Sequence, residues 1–254
     1  MTPINNLKVY VDGMKKALDD KRFFVSMMHP DIDTVIDYGC GDGTLLDSLP
    51  SDLNKYGYDL NPDMVLLCER KGINMLPDLE RIKDLAHFNP DSTALILSSV
   101  LHEINSYCTP KEIKEFWNTV RDLGVKQIYV RDMVNFKSND VINASDFELL
   151  YKNSNEAQLK RMKEFEEIWG SLVFERNFIH YLLKYRYVDN WKREKEENYL
   201  SVDLGDLLSL MNHAGYKESY MKLYTLPFLQ KKVYDDFEIW LTGITHGKFV
   251  FTKQ

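Results

Sequence analysis

The residues with the clearest potential for chemistry lie in one short segment, TVIDYGCGDGTLLDSL, at positions 34 to 49. An apolar run of strand character leads to Asp37, and three glycines, Gly39, Gly41 and Gly43, follow directly. Glycine adopts positive φ readily, which lets the amides of such a loop approach a ligand closely. The spacing around these glycines decides which class of ligand the loop suits.

Two common phosphate-binding patterns fit this loop poorly. A P-loop requires GxxxxGK followed by Ser or Thr, and no lysine follows these glycines. A dinucleotide fingerprint requires GxGxxG, but Thr44 stands at the sixth position and Gly43 comes one residue early. The carboxylate of Asp37 disfavours a pyrophosphate and suits a ligand with a cationic amino group.

The segment VIDYGCGDG resembles the first motif of class I S-adenosylmethionine (SAM)-dependent methyltransferases. A second marker of that family is an acidic residue at the end of the next strand, whose two oxygens accept the ribose hydroxyls; Asp59 in YGYDLNP lies at that place. The segments ALILSSVLHEI, LGDLLSLMNHAGY and GKFVFTK resemble the family's fourth strand with its following loop, its late helix and its antiparallel last strand. The resemblance covers residues 30–134 and 201–254.

Strand and helix patterns alternate along these two ranges, which predicts an α/β fold. In helix candidates such as TPKEIKEFWNTVRDLG, Thr109 and Glu112 form a capping-box pattern and Gly124 marks the end. We expect a Rossmann-like, doubly wound sheet of seven mostly parallel strands with an antiparallel last strand. Residues 1–29 are predicted to form an N-terminal helical cap, and residues 135–200 a helical insertion that acts as a substrate-recognition lid.

The resemblance implies SAM as the cofactor, with S-adenosylhomocysteine (SAH) as the product. Asp84, in RIKDLAHF, is the candidate for the adenine because the family has a polar residue after the third strand. Cys40 is expected to be a small spacer that faces the cofactor and not a nucleophile. The full set of predicted cofactor-binding residues is Asp37, Gly39, Cys40, Gly41, Gly43, Asp59, Leu60, Asp84, Ser98 and Ser99.

Methyl transfer from SAM is an in-line displacement, and alignment of the reactants supplies much of its acceleration. No universal catalytic residue is therefore required, although some enzymes add a general base. The family places substrate-facing groups after the fourth and fifth strands, so His102 and Glu103 are the catalytic candidates and Arg131 and Asp132 are substrate-binding candidates. Alternatively, the first two residues line the cofactor pocket and the second two form a structural ion pair.

Further substrate-side candidates lie outside these strand ends. Tyr10 could reach the cofactor's carboxylate if the leading helix folds over the site, but a core or surface tyrosine is the alternative. In the insertion, FIHYLLKYRYVDNWKREKEENYL combines aromatic residues with His180, Lys184 and Arg186. Either this segment recognises a phosphate-bearing or planar substrate by charge and stacking, or it is an amphipathic helix with aromatics inward and charges solvated. The sequence favours the second interpretation.

Composition narrows the class of protein and its partners. The net charge is -7 with no strongly basic segment, which does not support bulk nucleic-acid binding. No apolar run reaches the roughly 18 residues of a membrane span. Cys40, Cys68 and Cys108 are odd in number and widely spaced, so neither a disulfide framework nor a metal site is expected. We expect a cytoplasmic protein with no membrane partner.

These observations predict a SAM-dependent methyltransferase that transfers a methyl group to an oxygen or nitrogen of a small-molecule acceptor. A nucleotide or RNA acceptor is one alternative. A SAM-binding sensor without methyl transfer is another, because the motifs describe a cofactor pocket better than they describe a catalyst.

Overall fold

In the computed structural model, which describes residues 17–135 and 140–254, seven strands form one sheet. In chain order they are β1 (Thr34–Tyr38), β2 (Asn54–Tyr58), β3 (Asn74–Met75), β4 (Thr93–Ser98), β5 (Gln127–Met133), β6 (Tyr216–Tyr224) and β7 (His246–Lys253). The strand order across the sheet is β3, β2, β1, β4, β5, β7, β6.

The pairing confirms the predicted topology. The first five strands pair in parallel, and β7 runs antiparallel to both β5 and β6. Every residue of β4 and β5 is buried, as expected for continuous apolar runs in a sheet covered on both faces. The chain therefore has the predicted Rossmann-like sheet with one antiparallel strand.

Helices follow most strands and also occupy the predicted insertion. In chain order they are α1 (Leu18–Lys21), α2 (Thr44–Asp47), α3 (Pro62–Arg70), α4 (Leu79–Phe88), α5 (Leu101–Tyr107), α6 (Pro110–Leu123), α7 (Ala144–Lys152), α8 (Glu156–Trp169), α9 (Glu175–Lys184), α10 (Trp191–Glu194), α11 (Leu204–His213) and α12 (Pro227–Phe237). Short 3-10 turns cover Val25–Met27, Pro90–Ser92 and Val188–Asn190. None of the helices within the described ranges is both long and apolar enough to cross a bilayer.

Local capping chemistry explains where the sheet-covering helices begin and end. Thr109 and Glu112 form the predicted capping box of α6, and Gly124 ends that helix at φ 58°. The Asn61 side chain accepts a hydrogen bond from the Asp63 amide at the start of α3. These residues satisfy amide groups that have no partner inside the helix.

Three segments differ from the sequence expectation. The segment after β4, expected to be a loop, starts α5 at Leu101, so His102 and Glu103 lie in the first turn of a helix. Asp84 lies within α4 and not directly after β3, because β3 ends at Met75 and α4 begins at Leu79. The connection between β6 and β7, for which no helix was predicted, contains α12.

The buried apolar residues form cores on the sheet and a separate core among the helices. The core among the helices combines residues of α7, α8 and α9 with Leu229, Val233 and Phe237, which are spaced four residues apart on α12. We call residues 140–200 together with α12 the helical region. The insertion is thus helical, but its packing includes a helix that lies beyond the predicted boundary at residue 200. The domain limits themselves stay predictions.

Candidate cofactor and acceptor site

The predicted site residues gather at one edge of the sheet. Parallel strands end at the same edge, so the residues that follow β1, β2, β4 and β5 become neighbours there. The amide of Gly41 donates to Asp59 Oδ2 at 2.8 Å, which joins the glycine loop to the end of β2. The amides of Gly39 and Cys40 both donate to the Tyr58 carbonyl, at 2.7 and 3.0 Å. We call this edge the cofactor edge.

The glycines of the loop are required by both backbone conformation and space. Gly39, Gly41 and Gly43 have φ values of 77°, 54° and 73°. A Cβ on Gly39 would lie 2.5 Å from Val100 Cγ2, and one on Gly43 would lie 2.2 Å from Ile73 Cδ1. Positive φ and this close packing explain why glycine recurs at alternate positions.

The carboxylate of Asp59 is held by backbone amides on both of its oxygens. Oδ2 accepts from Gly41 N and Oδ1 accepts from Asn61 N, each at 2.8 Å. Burial raises the pKa of this carboxyl, although the amides oppose that effect. Each oxygen keeps a further lone pair for a ligand hydroxyl. Leu60, the next residue, is 77% exposed and presents an apolar surface beside the carboxylate.

Asp37 is buried, and its Oδ1 has no hydrogen-bond partner within the described part of the chain. Burial raises its pKa to about 7, with Lys21 opposing the rise and Asp59 adding to it. Ser98 Oγ, at the end of β4, is buried and unpartnered in the same way. Buried polar groups are normally satisfied, so these two atoms are suited to hydrogen bonds with a polar ligand at this edge.

Lys21, on α1, is a site residue that the sequence analysis missed. Burial lowers the pKa of its ammonium and the nearby Arg131 adds to this, whereas Asp37, Asp132 and Asp42 oppose the change. The Lys21 ammonium therefore interacts electrostatically with acidic residues of the cofactor edge. No spacing signal pointed to it, because α1 meets the edge only through the tertiary fold.

Arg131 is held in an ion pair, but its partner is Asp20 and not Asp132, which the structural alternative predicted. Its guanidinium donates to Asp20 Oδ2 and to Ser99 Oγ, each from a nitrogen at 2.9 Å. Asp20 also accepts from Tyr224 Oη at 2.6 Å and pairs with Lys248 Nζ at 2.6 Å. Arg131 is 5% exposed, which is at odds with the prediction that it contacts the acceptor.

His102 lies between two buried carboxylates. Its Nδ1 is 2.7 Å from Asp132 Oδ1, and its Nε2 is 3.1 Å from Glu197 Oε1. Burial disfavours the charged ring, but the two carboxylates prevail and raise its pKa well above the usual value. An imidazolium with both nitrogens occupied cannot accept another proton. The geometry is therefore against the prediction of His102 as a general base.

Asp132 has a positioning role instead of the predicted contact with the acceptor. It is fully buried, and its Oδ2 accepts from the backbone amides of Leu101 and His102 at 2.9 and 3.3 Å. Its Oδ1 accepts from His102 Nδ1 and from the Met133 amide. The carboxylate thus caps the N-terminus of α5 and orients the imidazole.

Glu103 is the more accessible member of this group, with 23% of its side chain exposed. Burial raises its pKa, and Glu197 adds to the rise. Arg193 Nη2 lies 3.1 Å from Glu103 Oε1, and Arg193 Nε lies 3.5 Å from Glu197 Oε2. His102, Glu103 and Glu197 also each bring a potential ligand atom within 4.8 Å of the others, so the absence of a metal stays a prediction.

His180 and Lys184 are fully buried, and their predicted contact with the acceptor stays a prediction. The Lys184 ammonium donates to the Glu197 carbonyl and lies near the rings of Phe165, Trp169 and Tyr199. Burial lowers its pKa to about 7 and lowers the pKa of His180 well below its usual value. The interpretation of solvated charges on this segment is therefore wrong, because Arg193, Glu194 and Glu197 are buried as well.

Two other predicted residues, Cys40 and Asp84, lie in different surroundings from those expected. Cys40 points into the core: its Sγ is 3.8 Å from Cys68 Sγ and 2.8 Å from the position that a Cβ on Gly57 would occupy. Asp84 is exposed and pairs with Arg81 at 3.2 Å, and Asp78 is the acid that immediately precedes α4. Tyr10 lies outside the described residues.

The family model described as "Methionine biosynthesis protein MetW" matches residues 19–124, which include the glycine loop and Asp59. No curated protein sequence matches this chain. The matched range is the part of the chain that carries the sequence motifs of the cofactor edge.

Solved structures resemble the chain over nearly its whole length, at low identity. The magnesium protoporphyrin IX methyltransferase of Synechocystis PCC 6803, with bound SAH, is 12% identical, with a TM-score of 0.50 over 96% of this chain and 84% of that one. The [4+2]-cyclase SpnF is 10% identical, with a TM-score of 0.50 over 95% and 82%. A SAM-dependent methyltransferase from Archaeoglobus fulgidus is 13% identical, with a TM-score of 0.49 over 98% and 95%. At such identities the likeness concerns the fold.

Proposed function

We propose that this chain, which has the class I SAM-dependent methyltransferase fold, transfers a methyl group from SAM to an oxygen or nitrogen of a small-molecule acceptor. Its homology over residues 19–124 is to a methyltransferase-like family. Since one fold hosts many activities, the argument for this activity depends on the residues of the cofactor edge.

The observation that carries the proposal is the pair of carboxylates at the ends of β1 and β2. Asp37 offers a buried oxygen without a partner, which fits the ammonium of the methionine part of SAM. Asp59 offers two oxygens fixed by amides, which fits the two ribose hydroxyls. Charge-assisted contacts of this kind are worth about 1.5 to 3 kcal/mol each.

Other residues at the cofactor edge fit the remaining parts of the same molecule. The exposed Leu60 side chain offers an apolar surface for the adenine. The Lys21 ammonium is suited to the carboxylate of the methionine part, and the unpartnered Ser98 hydroxyl offers a further polar contact. The proposed role of Asp84 at the adenine receives no support from its exposed ion pair with Arg81.

SAM, when bound, supplies a methyl group that is already activated on its sulfonium. The chain's own contribution is to hold the acceptor in line and to exclude water, which can lower a barrier by roughly 7 to 11 kcal/mol in favourable cases. We assign Glu103 to receive the proton that leaves the acceptor, because it is partly exposed and its pKa is raised. His102 and Asp132 position the helix that carries it.

The test has two stages. Calorimetry with SAH measures cofactor binding, and a screen of small hydroxyl and amine acceptors with methyl-labelled SAM then measures transfer. Binding followed by labelled product supports the proposal. Binding without transfer to any acceptor would favour a SAM-binding sensor, and no binding of SAM or SAH would refute the cofactor assignment. With an acceptor identified, Glu103→Gln is expected to lower kcat while SAH affinity is retained.

A further inference from the structure

Arg186 lies at the same edge of the sheet as the proposed cofactor site. In the sheet register, Met133 at the end of β5 pairs with His246, which pairs with Tyr224 at the end of β6. The helix that follows β6 therefore starts at this edge, and its residue Phe228 lies 5.1 Å from the Arg186 guanidinium carbon. Arg186 is thereby placed on the side of β5 away from the glycine loop.

The electrostatic surroundings agree with this placement. Burial lowers the pKa of His246 well below its usual value, and Arg131 and Arg186 are the next causes. Both guanidinium groups thus act on the imidazole of His246, at the start of β7 and beside the end of β5. Arg186 therefore lies near the edge of the sheet where the proposed cofactor site is.

Arg186, which is partly exposed, differs from the buried arginines of this edge, Arg131 and Arg193, in having no carboxylate partner within the described residues. Arg131 pairs with Asp20, and Arg193 pairs with Glu103 and Glu197. Arg186 donates from Nη2 to Tyr187 Oη at 2.8 Å, whereas its Nη1 is buried with no partner in residues 17–135 and 140–254. A buried guanidinium without an anion is unfavourable, and an anionic ligand would offset that penalty.

Aromatic rings beside Arg186 provide a surface for a planar group. The guanidinium carbon lies 4.8 Å from the Tyr187 ring centroid and 5.1 Å from that of Phe228. Phe228 is 48% exposed, so one face of this pair is accessible. Aromatic rings of this kind stack on planar ligands, while the cation sets the charge that the ligand must carry.

We propose that Arg186 and Phe228 form the acceptor subsite for a small planar molecule that carries a carboxylate or phosphate. The guanidinium binds the anionic group, and Phe228 contacts the planar part. The identification of this ligand as the methyl acceptor rests on the proposed function, whereas anion binding at Arg186 does not.

In the test, protein saturated with SAH is titrated with benzoate, with phenyl phosphate and with the neutral analogue benzamide, and calorimetry measures the binding of each. At least one anion is expected to bind, and benzamide is expected to bind at least about tenfold more weakly. Arg186→Met should weaken anion binding by about 10-fold to 150-fold and leave SAH affinity unchanged. Benzoate against phenyl phosphate distinguishes a carboxylate from a phosphate acceptor. Arg186→Lys keeps the charge and serves as the test if the methionine variant does not fold.

Arg161→Met is the matched control. Like Arg186, Arg161 lies over an aromatic ring, that of Trp191, and has a buried nitrogen without a partner in the described residues. It differs in its place, because it lies on α8 and not in the proposed subsite. This variant should retain full anion binding. The proposal is overturned if neither anion binds at about 10 mM, which corresponds to less than about 3 kcal/mol of binding free energy. It is also overturned if Arg186→Met and Arg161→Met weaken anion binding equally. If the wild-type chain fails to bind SAH, the proposed function fails, and the same titration without SAH still tests Arg186.

Discussion

The cofactor edge and the contact between the helical region and α5 both bury charged side chains, but they satisfy them in different ways. At the edge, Asp37 Oδ1 and Ser98 Oγ are buried without partners in the described residues. In the contact, Glu197 binds His102, Arg193 and Tyr107 through its two oxygens. The unpaired groups at the edge suit a polar ligand, and the paired groups of the contact hold one part of the chain docked on another.

The docking contact explains how the helical region reaches the site. Glu197 and Arg193 belong to the insertion, and their partners His102 and Glu103 lie on α5, directly after β4. A buried ion network of this type is sensitive to the loss of one member, because the remaining charges stay buried. The comparison therefore predicts that mutations in the two regions have different readouts.

The largest expected effect is on folding. Glu197→Ala should lower the free energy of unfolding by about 3 to 5 kcal/mol, because His102 and Arg193 lose a buried counter-charge. Urea denaturation followed by circular dichroism measures this. The matched control is Glu164→Gln on α8. Glu164 pairs with Lys195 at 3.3 Å, and both side chains are partly exposed. Loss of this ion pair should change the free energy of unfolding by no more than about 1 kcal/mol. Equal effects of the two variants would contradict the distinction between the regions.

A smaller effect, on binding and not on folding, is expected at the cofactor edge. Asp59→Ala should weaken SAH affinity by about 10-fold to 150-fold, the equivalent of 1.5 to 3 kcal/mol, through loss of the ribose contacts. Calorimetry checks this, with Asp47→Ala as the control, an exposed acid on α2. Unchanged binding in a folded Asp59 variant would remove the ribose assignment.

Asp37 should show a pH dependence of stability. Its pKa is about 7 in the folded chain and 3.8 when unperturbed, so between these values the folded state holds a proton that the unfolded state releases. The contribution of Asp37 to the free energy of unfolding therefore falls as pH rises through this window, by up to about 1.4 kcal/mol per pH unit. Asp37→Asn should be more stable than the wild-type chain at pH 8, and the two should converge near pH 4. A constant difference in thermal denaturation across this range would contradict the assignment.

Lys184 should give a pH dependence of stability with the opposite sign and in a different window. Its pKa is about 7 in the folded chain and 10.5 when unperturbed, so above pH 7 the unfolded state binds the extra proton. Stability from this group therefore rises with pH from about 7 to 10.5, by up to about 1.4 kcal/mol per pH unit. Denaturation of Lys184→Met at pH 7 and pH 9 should show that this rise is lost. An unchanged rise would place its origin elsewhere.

The elements of the sheet were predictable because their signals are local. The apolar segment ALILSSVLHEI indicated β4, and the side chains of Thr109 and Glu112 marked a helix start that the structure confirms. The convergence of Asp37, Asp59 and the glycine loop followed from one rule, that parallel strands end at a common edge. Lys21 could not be found in this way, because nothing in the sequence relates α1 to that edge.

The helical region was predictable in its secondary structure but not in its burial. Phe178 and Tyr181 of α9 are buried, which agrees with the expectation that the aromatic residues of this segment point inward. The other face was expected to be solvated, yet Lys184 is fully buried. Periodicity describes one helix at a time, and the surfaces that cover its second face come from elsewhere in the chain.

The amino-acid sequence by itself determined the α/β class, the strand that leads into the glycine loop and the carboxylates that follow β1 and β2, because each depends on backbone conformation and short-range spacing. Only the tertiary structure decided that His102 is bound by Asp132 and Glu197, that Lys184 is inaccessible and that Arg186 meets Phe228 without a carboxylate partner in the described residues. These contacts join residues from separate elements. Side-chain pairing across such distances depends on which faces pack together, and a sequence pattern read one element at a time does not contain that information.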